Sequence, residues 1–154
     1  MVSGNHKEGR KQQGVTLVEL MIVVVIIGII GAVAYPSYVE FVNKSRRADG
    51  MAALQSFAGA MERHFTVNSS YCGAGTTATA SCGASSGGDP TIFPTEAPLD
   101  GTDKYYDLDI SVVSDTSFTL TATPKNAQTG DTCGTLSIQH TGARNQTGSG
   151  DCWP

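Results

Sequence analysis

Positive charge is scarce over most of this chain. Beyond Asp49 the only basic residues are Arg63, Lys104, Lys125 and Arg144, against ten acidic ones, a balance of −6. Binding to nucleic acid works chiefly by neutralising phosphates, so this deficit argues against DNA or RNA as a default partner, a local patch aside. The four cysteines, Cys72, Cys82, Cys133 and Cys152, contain no C-x-x-C pair, and the nearest histidine is His140, seven residues past Cys133. That spacing does not suit a zinc site. No G-x-S-x-G or H-E-x-x-H accompanies His140, and His6 and His64 have no nucleophile motif beside them. No catalytic residue, metal site or cofactor site is expected. Asp107 and Asp109 share the outer face of a strand pattern. As a pair they read as a solvated face rather than a calcium site.

The longest absence is of charge altogether: from Leu20 to Val39 no residue carries one. At about 1.5 Å rise per residue a helix of this length crosses a hydrocarbon core of roughly 30 Å. Just before this run stands one carboxylate, Glu19, in the stretch Gly14-Val15-Thr16-Leu17-Val18-Glu19. A charged side chain at bilayer depth costs about 2.5–3.5 kcal/mol on insertion scales. Glu19 is either neutral by burial, held at the membrane surface, or matched by a partner from outside its own apolar run.

What is present supports one domain plus a tail within 154 residues. Residues 1–14 are polar and basic, with Lys7, Arg10 and Lys11, and read as a cytoplasmic leader rather than part of the fold. The positive-inside rule is blunted here, because Lys44, Arg46 and Arg47 flank the other side of the run. An even cysteine count in a small Gly/Ser/Thr-rich region fits two disulfides and an oxidising compartment, which places the C-terminal part outside the cytoplasm. Three pairings are open, and proximity favours Cys72–Cys82 and Cys133–Cys152.

Two processing sites compete. Ala32-Val33-Ala34 resembles a secretory cleavage site and would release a soluble protein starting at Tyr35. A cut between Gly14 and Val15 would keep the apolar helix. The second is favoured because the basic stretch ends at Gly14 and helical patterning continues past Ala34. Tyr38, Phe41 and Val42 form one apolar stripe, and Ala48, Met51, Leu54, Ala58, Met61 and Phe65 follow at helical intervals. Lys44, Arg46, Arg47, Asp49, Glu62 and Arg63 fall mainly off this stripe. One helix is therefore expected over 15–66, with its membrane and assembly part at about 15–39. Pro36, with Gly28 and Gly31 upstream, is expected to break or soften it.

The disulfide-bonded head is expected at 67–154. Residues 68–89 read as a loop that cannot build a core, and Pro90, Pro94 and Pro98 keep the next stretch irregular. Alternation then predicts three half-buried strands: Tyr106, Leu108, Ile110 and Val112; Phe118, Leu120 and Ala122; Leu136 and Ile138. Residues 142–150 read as a polar loop. The fold class is α+β, with an antiparallel sheet covered by the amphipathic half of the long helix.

A cut at Gly14–Val15 creates an α-amine one helical turn from Glu19. Among parallel chains staggered in a bundle, one chain's amine meets another chain's carboxylate, and in low dielectric such a pair is strongly attractive. The stretch Gly14 to Glu19 and the run behind it resemble the class III signal of type IV pilins and pseudopilins. Val15 departs from the phenylalanine common at that position. Phe118 to Pro124, Asp131 to Ser137, Gly142 and the terminal Asp151-Cys152-Trp153 resemble minor pilins of the PilE type. The resemblance implies the pilin roll, cleavage after Gly14 by a prepilin peptidase, methylation of Val15, and a helix break at Gly28 to Pro36. It also implies a C-terminal disulfide loop at Cys133 and Cys152. The implied partners are other pilin subunits through the helix, the peptidase, and the inner-membrane assembly machinery. The head would sit in the periplasm before the subunit enters an extracellular fibre. A minor pilin for adhesion or twitching motility is the reading. A major pilin, a type II secretion pseudopilin, a DNA-uptake or adhesive pilin, and a soluble protein cut after Ala34 are the alternatives.

Overall fold

Thr16 starts the first helix. Its Oγ1 accepts the backbone N–H of Glu19 at 3.2 Å, the N-cap contact that a helix start leaves open. Thr16 and Glu19 stand three residues apart, the spacing of a capping box, and an acid in the first turn also complements the helix dipole. A computed structural model of the chain describes residues 14–77, 82–150 and 152–153. The expected leader lies outside the described residues except for Gly14. Helix α1 spans Leu17–Asn68, 52 residues. The chain divides into two units, Met1–Val39 and Glu40–Pro154.

In the first unit every described side chain is exposed, including the whole apolar run. The expected break at Gly28, Gly31 and Pro36 is not a loss of helix: α1 continues through all three. Pro36 removes one backbone donor, and the turns on either side keep theirs. Gly28 and Gly31 face open space, with nothing near where a Cβ would stand.

In the second unit the buried helical residues are Gly50, Met51, Ala53, Leu54, Phe57, Ala60 and Met61. This stripe is rotated from the expected one. Ala48 is exposed, Ala58 and Phe65 are half-buried, and Phe57 is fully inside. Arg47 also belongs to the inner side. The reason is local: Gly50 lets the ring of Tyr106 lie against the helix backbone. A Cβ at position 50 would meet Tyr106 Cδ2 at 2.9 Å, so this position admits no side chain without displacement.

The sheet is a five-stranded antiparallel meander: β1 Glu96–Ala97, β2 Tyr106–Val113, β3 Phe118–Pro124, β4 Leu136–Gln139 and β5 Arg144–Gln146. The three expected strands are β2, β3 and β4. Two short ones were not expected. β1 lies in the proline-rich stretch, and β5 lies in the segment read as a polar loop. Neither is long enough to show alternation, and both are edge strands that take their register from a neighbour. Position 112 is a second correction. Ile110 pairs with Leu120 but Val112 pairs with Thr119, so Ser111 is an extra residue in β2. This bulge reverses the alternation, exposing Val112 and burying Val113. The Ser111 hydroxyl donates to the Thr119 carbonyl at 3.0 Å across the bulge.

One buried cluster joins the helix residues Met51, Leu54, Phe57 and Met61 to Tyr106, Leu108, Ile110, Leu120 and Leu136 of the sheet. Each such side chain contributes about 1.5–3 kcal/mol when fully buried. The segment after the helix also enters the core, contrary to expectation: Tyr71, Cys72 and Ala74 are buried. Tyr71 packs against Phe65 and edge-on to Phe118. Its hydroxyl donates to the Glu62 carboxylate, so an aromatic in a Gly/Ser/Thr-rich stretch closes the end of the helix. Phe93 stacks on Phe57 at 4.9 Å. The segment between them is pinned by bridges Gly75 to Pro90, Ser85 to Val113 and Gly88 to Ile110.

Candidate functional site: the N-terminal segment and the surface of the head

Gly14, Val15 and Thr16 are exposed ahead of α1, and Glu19 is exposed in its first turn. Side chains from Val15 to Ile30 present a continuous apolar surface, with Val15 at 70% and Leu17 at 75% exposure. Among the described residues nothing covers them. So large an exposed apolar surface is found where lipid or another protein completes the structure. Glu19 is the one carboxylate in this surface, and the capping contact with Thr16 Oγ1 engages its backbone N–H, not its side chain.

The head contains two disulfides. Cys72–Cys82 closes the segment after the helix. Cys133–Cys152 encloses β4, its turn and β5. Within that second loop Gly148 N–H donates to the Cys133 carbonyl at 2.9 Å, and Thr147 N–H donates to the Thr135 carbonyl at 3.0 Å. A Cβ at Gly148 would stand 2.0 Å from the Thr132 carbonyl oxygen, so only glycine passes there. Trp153 lies over the end of the loop. Its Nε1–H donates to the Asn145 carbonyl at 3.0 Å, and the Arg144 guanidinium lies 5.3 Å from its ring centre.

One buried ion pair ties the base of the head together. Arg47 Nε donates to Asp131 Oδ2 at 3.0 Å, and its Nη2 bonds the other carboxylate oxygen. The side chains are 13% and 2% exposed. Burial pushes the Asp131 carboxyl up, but the Arg47 hydrogen bond and charge, with help from Gln128, hold it below the usual aspartate range. Beside it Tyr106 is pushed up to about 12, first by burial and then by the Asp131 charge. Gln128 Nε2 donates to the Asn43 carbonyl at 3.3 Å, fixing the loop after β3 to the helix. Sequence reasoning missed this pair because its members are 84 residues apart and neither belongs to a motif.

A shallow cleft of about 530 Å³ opens nearby, lined by Arg46, Glu96, Asp103, Lys104, Tyr105 and Lys125. Arg46 stands 4.2 Å over the Tyr105 ring. Lys125 is held by Glu96 and by Asp107, the latter at 2.6 Å. Lys104 Nζ donates to the Pro98 carbonyl at 2.6 Å. Three of the chain's few cations thus share one cleft with carboxylates. Asp107 belongs to this ion-pair group, and one oxygen of Asp109 is buried without a hydrogen-bond partner.

Comparison with known proteins supplies the family. Residues 9–35 match the prokaryotic N-terminal methylation motif. Residues 36–137, more than half of the chain, match the family described as type IV minor pilin ComP, DNA uptake sequence receptor. No curated protein sequence matches. Among solved structures, a type IV pilin from Shewanella oneidensis is 27% identical, covering 73% of this chain and 98% of its own, with a TM-score of 0.45. The non-core minor pilin PilV of Neisseria meningitidis is 19% identical, covering 72% of this chain and 92% of its own, with a TM-score of 0.47. The methylation motif, which runs into the exposed apolar helix, makes this a subunit anchored in the inner membrane and then built into an extracellular pilus, after processing by a prepilin peptidase. Its family is one of structural subunits, and the chain is a type IV minor pilin belonging to the ComP family.

Proposed function

We propose that this minor pilin enters the fibre through residues 15–39, after a cut between Gly14 and Val15 and methylation of the Val15 amine. The observation that carries the reading is the fully exposed apolar face from Val15 onward, which a solitary chain leaves bare. Neighbouring subunits supply the cover and the inner-membrane machinery delivers the subunit to them. Glu19 sets the stagger: its carboxylate accepts the Val15 amine of an adjacent subunit, and in low dielectric an unpaired charge of either sign is disfavoured. N-terminal sequencing and intact mass of the processed protein test it. Val15 as first residue, carrying one added methyl, is the expected result; a start at Tyr35 would sink the proposal. A Glu19→Val variant should insert in membranes at least as well as the parent and be depleted from sheared fibres.

A second reading, DNA reception during uptake, is favoured by the family match. The cations available for it are Arg46, Lys104 and Lys125 in the basal cleft, with Arg144 against Trp153 at the disulfide loop. Guanidinium groups on aromatic faces suit stacked bases and phosphates. The acidic balance of the head works against high affinity. Retention of duplex DNA by the full-length protein at low and high salt tests this. Binding that weakens steeply with salt, and further in an Arg46→Gln/Lys104→Gln variant, is the expected outcome, whereas salt-independent or absent binding ends this reading.

A further inference from the structure

Two aromatics with polar tips stand near the end of the apolar run. Tyr35 and Tyr38 are its last aromatic positions, three apart on α1, and are 73% and 67% exposed. Among the described residues no hydrogen-bond partner is found for either phenol. The next residues in sequence are Val39 and then the first charge, Glu40, which pairs with Lys44 at 2.8 Å. From Leu17 to Tyr38 the helix rises about 32 Å, close to the roughly 30 Å of a hydrocarbon core. A phenol has an apolar body and a polar tip, which suits the boundary between acyl chains and headgroups and neither side of it.

We propose that Tyr35 and Tyr38 dock α1 at the phospholipid headgroup level on the periplasmic side, and so fix how deep the helix sits before assembly. The occupant of this face is lipid, because the tyrosines continue the membrane-anchoring surface at the point where its length matches the core. The consequence reaches Glu19. Measured along the helix, Glu19 lies about 24 Å below Tyr35. That is close to the opposite edge of the core rather than its middle. Its carboxylate is then held near the cytoplasmic headgroups, within reach of water, while the subunit waits. The proposal rests on the membrane-anchored state of this pilin and is independent of DNA reception.

Single-tryptophan depth measurement tests it. The full chain carries Trp153→Phe to remove its one native indole, and a tryptophan at 35, 38 or, as a deep control, 27. Each protein is reconstituted in phosphatidylethanolamine/phosphatidylglycerol vesicles containing lipids brominated near the headgroup or near the acyl terminus. Positions 35 and 38 are expected to be quenched about twofold or more better by the shallow bromines, and position 27 by the deep ones. Deep quenching at 35 and 38 would overturn the belt while leaving the anchor intact. Quenching by neither lipid would overturn it by placing this end of the helix in water or against another subunit. Failure at position 27 as well would remove the membrane anchor itself. As a second measurement, Tyr35→Leu/Tyr38→Leu should shift or broaden the depth profile of the probe at 27, and an unchanged profile would deny the tyrosines a positioning role.

Discussion

At the scale of single residues, Arg47, Gly50 and Asp131 carry the head. Replacing Asp131 with Ala leaves the Arg47 guanidinium without its buried partner, a change that costs about 3–5 kcal/mol where both members are desolvated. Thermal unfolding of the full chain in detergent should show the drop. A loss within the range of exposed surface substitutions would mean that water replaces the carboxylate. The pH dependence follows from the sign of each shift. Asp131 is held low, so its contribution is present at neutral pH and is lost as pH falls through its lowered folded value. Tyr106 is held high, so its contribution is complete below the ordinary tyrosine range near 10 and is lost as pH rises towards about 12. Gly50→Ala gains up to about 1 kcal/mol of helix propensity but drives a Cβ into the fully buried Tyr106 ring. Overpacking of this kind costs about 1–3 kcal/mol, so unfolding at lower denaturant is the expected outcome. The motif Gly14 to Glu19 was legible because its chemistry is local and contiguous. Arg47 with Asp131 was not, because a pair joined only by the fold has no spacing to read.

At the scale of elements, length and period decided what could be read in advance. β2, β3 and β4 show alternation over enough residues to be seen, while β1 and β5 are two and three residues long and take their conformation from their neighbours. The bulge at Ser111 marks the limit of pattern reading even inside a clear strand. Both Val112 and Val113 are apolar, so hydrophobicity alone offers no sign of which one turns inward. Val113→Asp should therefore unfold the head, whereas Val112→Asp should leave its denaturation midpoint nearly unchanged; equal effects would contradict the reversed phase. The helical stripe was found with its period right and its centre slightly off: Met51, Leu54 and Met61 are buried as expected, while Ala48 is exposed and Phe57 takes the inside. Gly50, which a hydrophobic pattern cannot weigh, is where the Tyr106 ring of the sheet lies against the helix. Tyr71 was passed over for a similar reason: a lone aromatic in a Gly/Ser/Thr-rich segment gives no periodicity, though here it closes the end of the helix.

At the scale of the whole molecule, the chain has a core of its own beyond Glu40, and the described residues of its first unit form none. The two disulfides belong to the part with the core. Reducing Cys133–Cys152 frees a loop of 19 residues and should destabilise the head by about 3 kcal/mol in the chain-entropy account, read as a fall in melting temperature under reductant. The apolar segment should respond to the surrounding medium instead: transfer from detergent to vesicles should protect its amides from exchange and leave those of the sheet unaffected. The threonine that caps α1 has a consequence for timing. Trimming the leader would install a fresh cation next to the electropositive pole of a helix, where like charge is disfavoured by about 0.3–1 kcal/mol at exposed sites. Maturation would then arm the subunit as well as shorten it, leaving its foremost atom poorly accommodated alone and better accommodated beside an acid that a sister molecule brings.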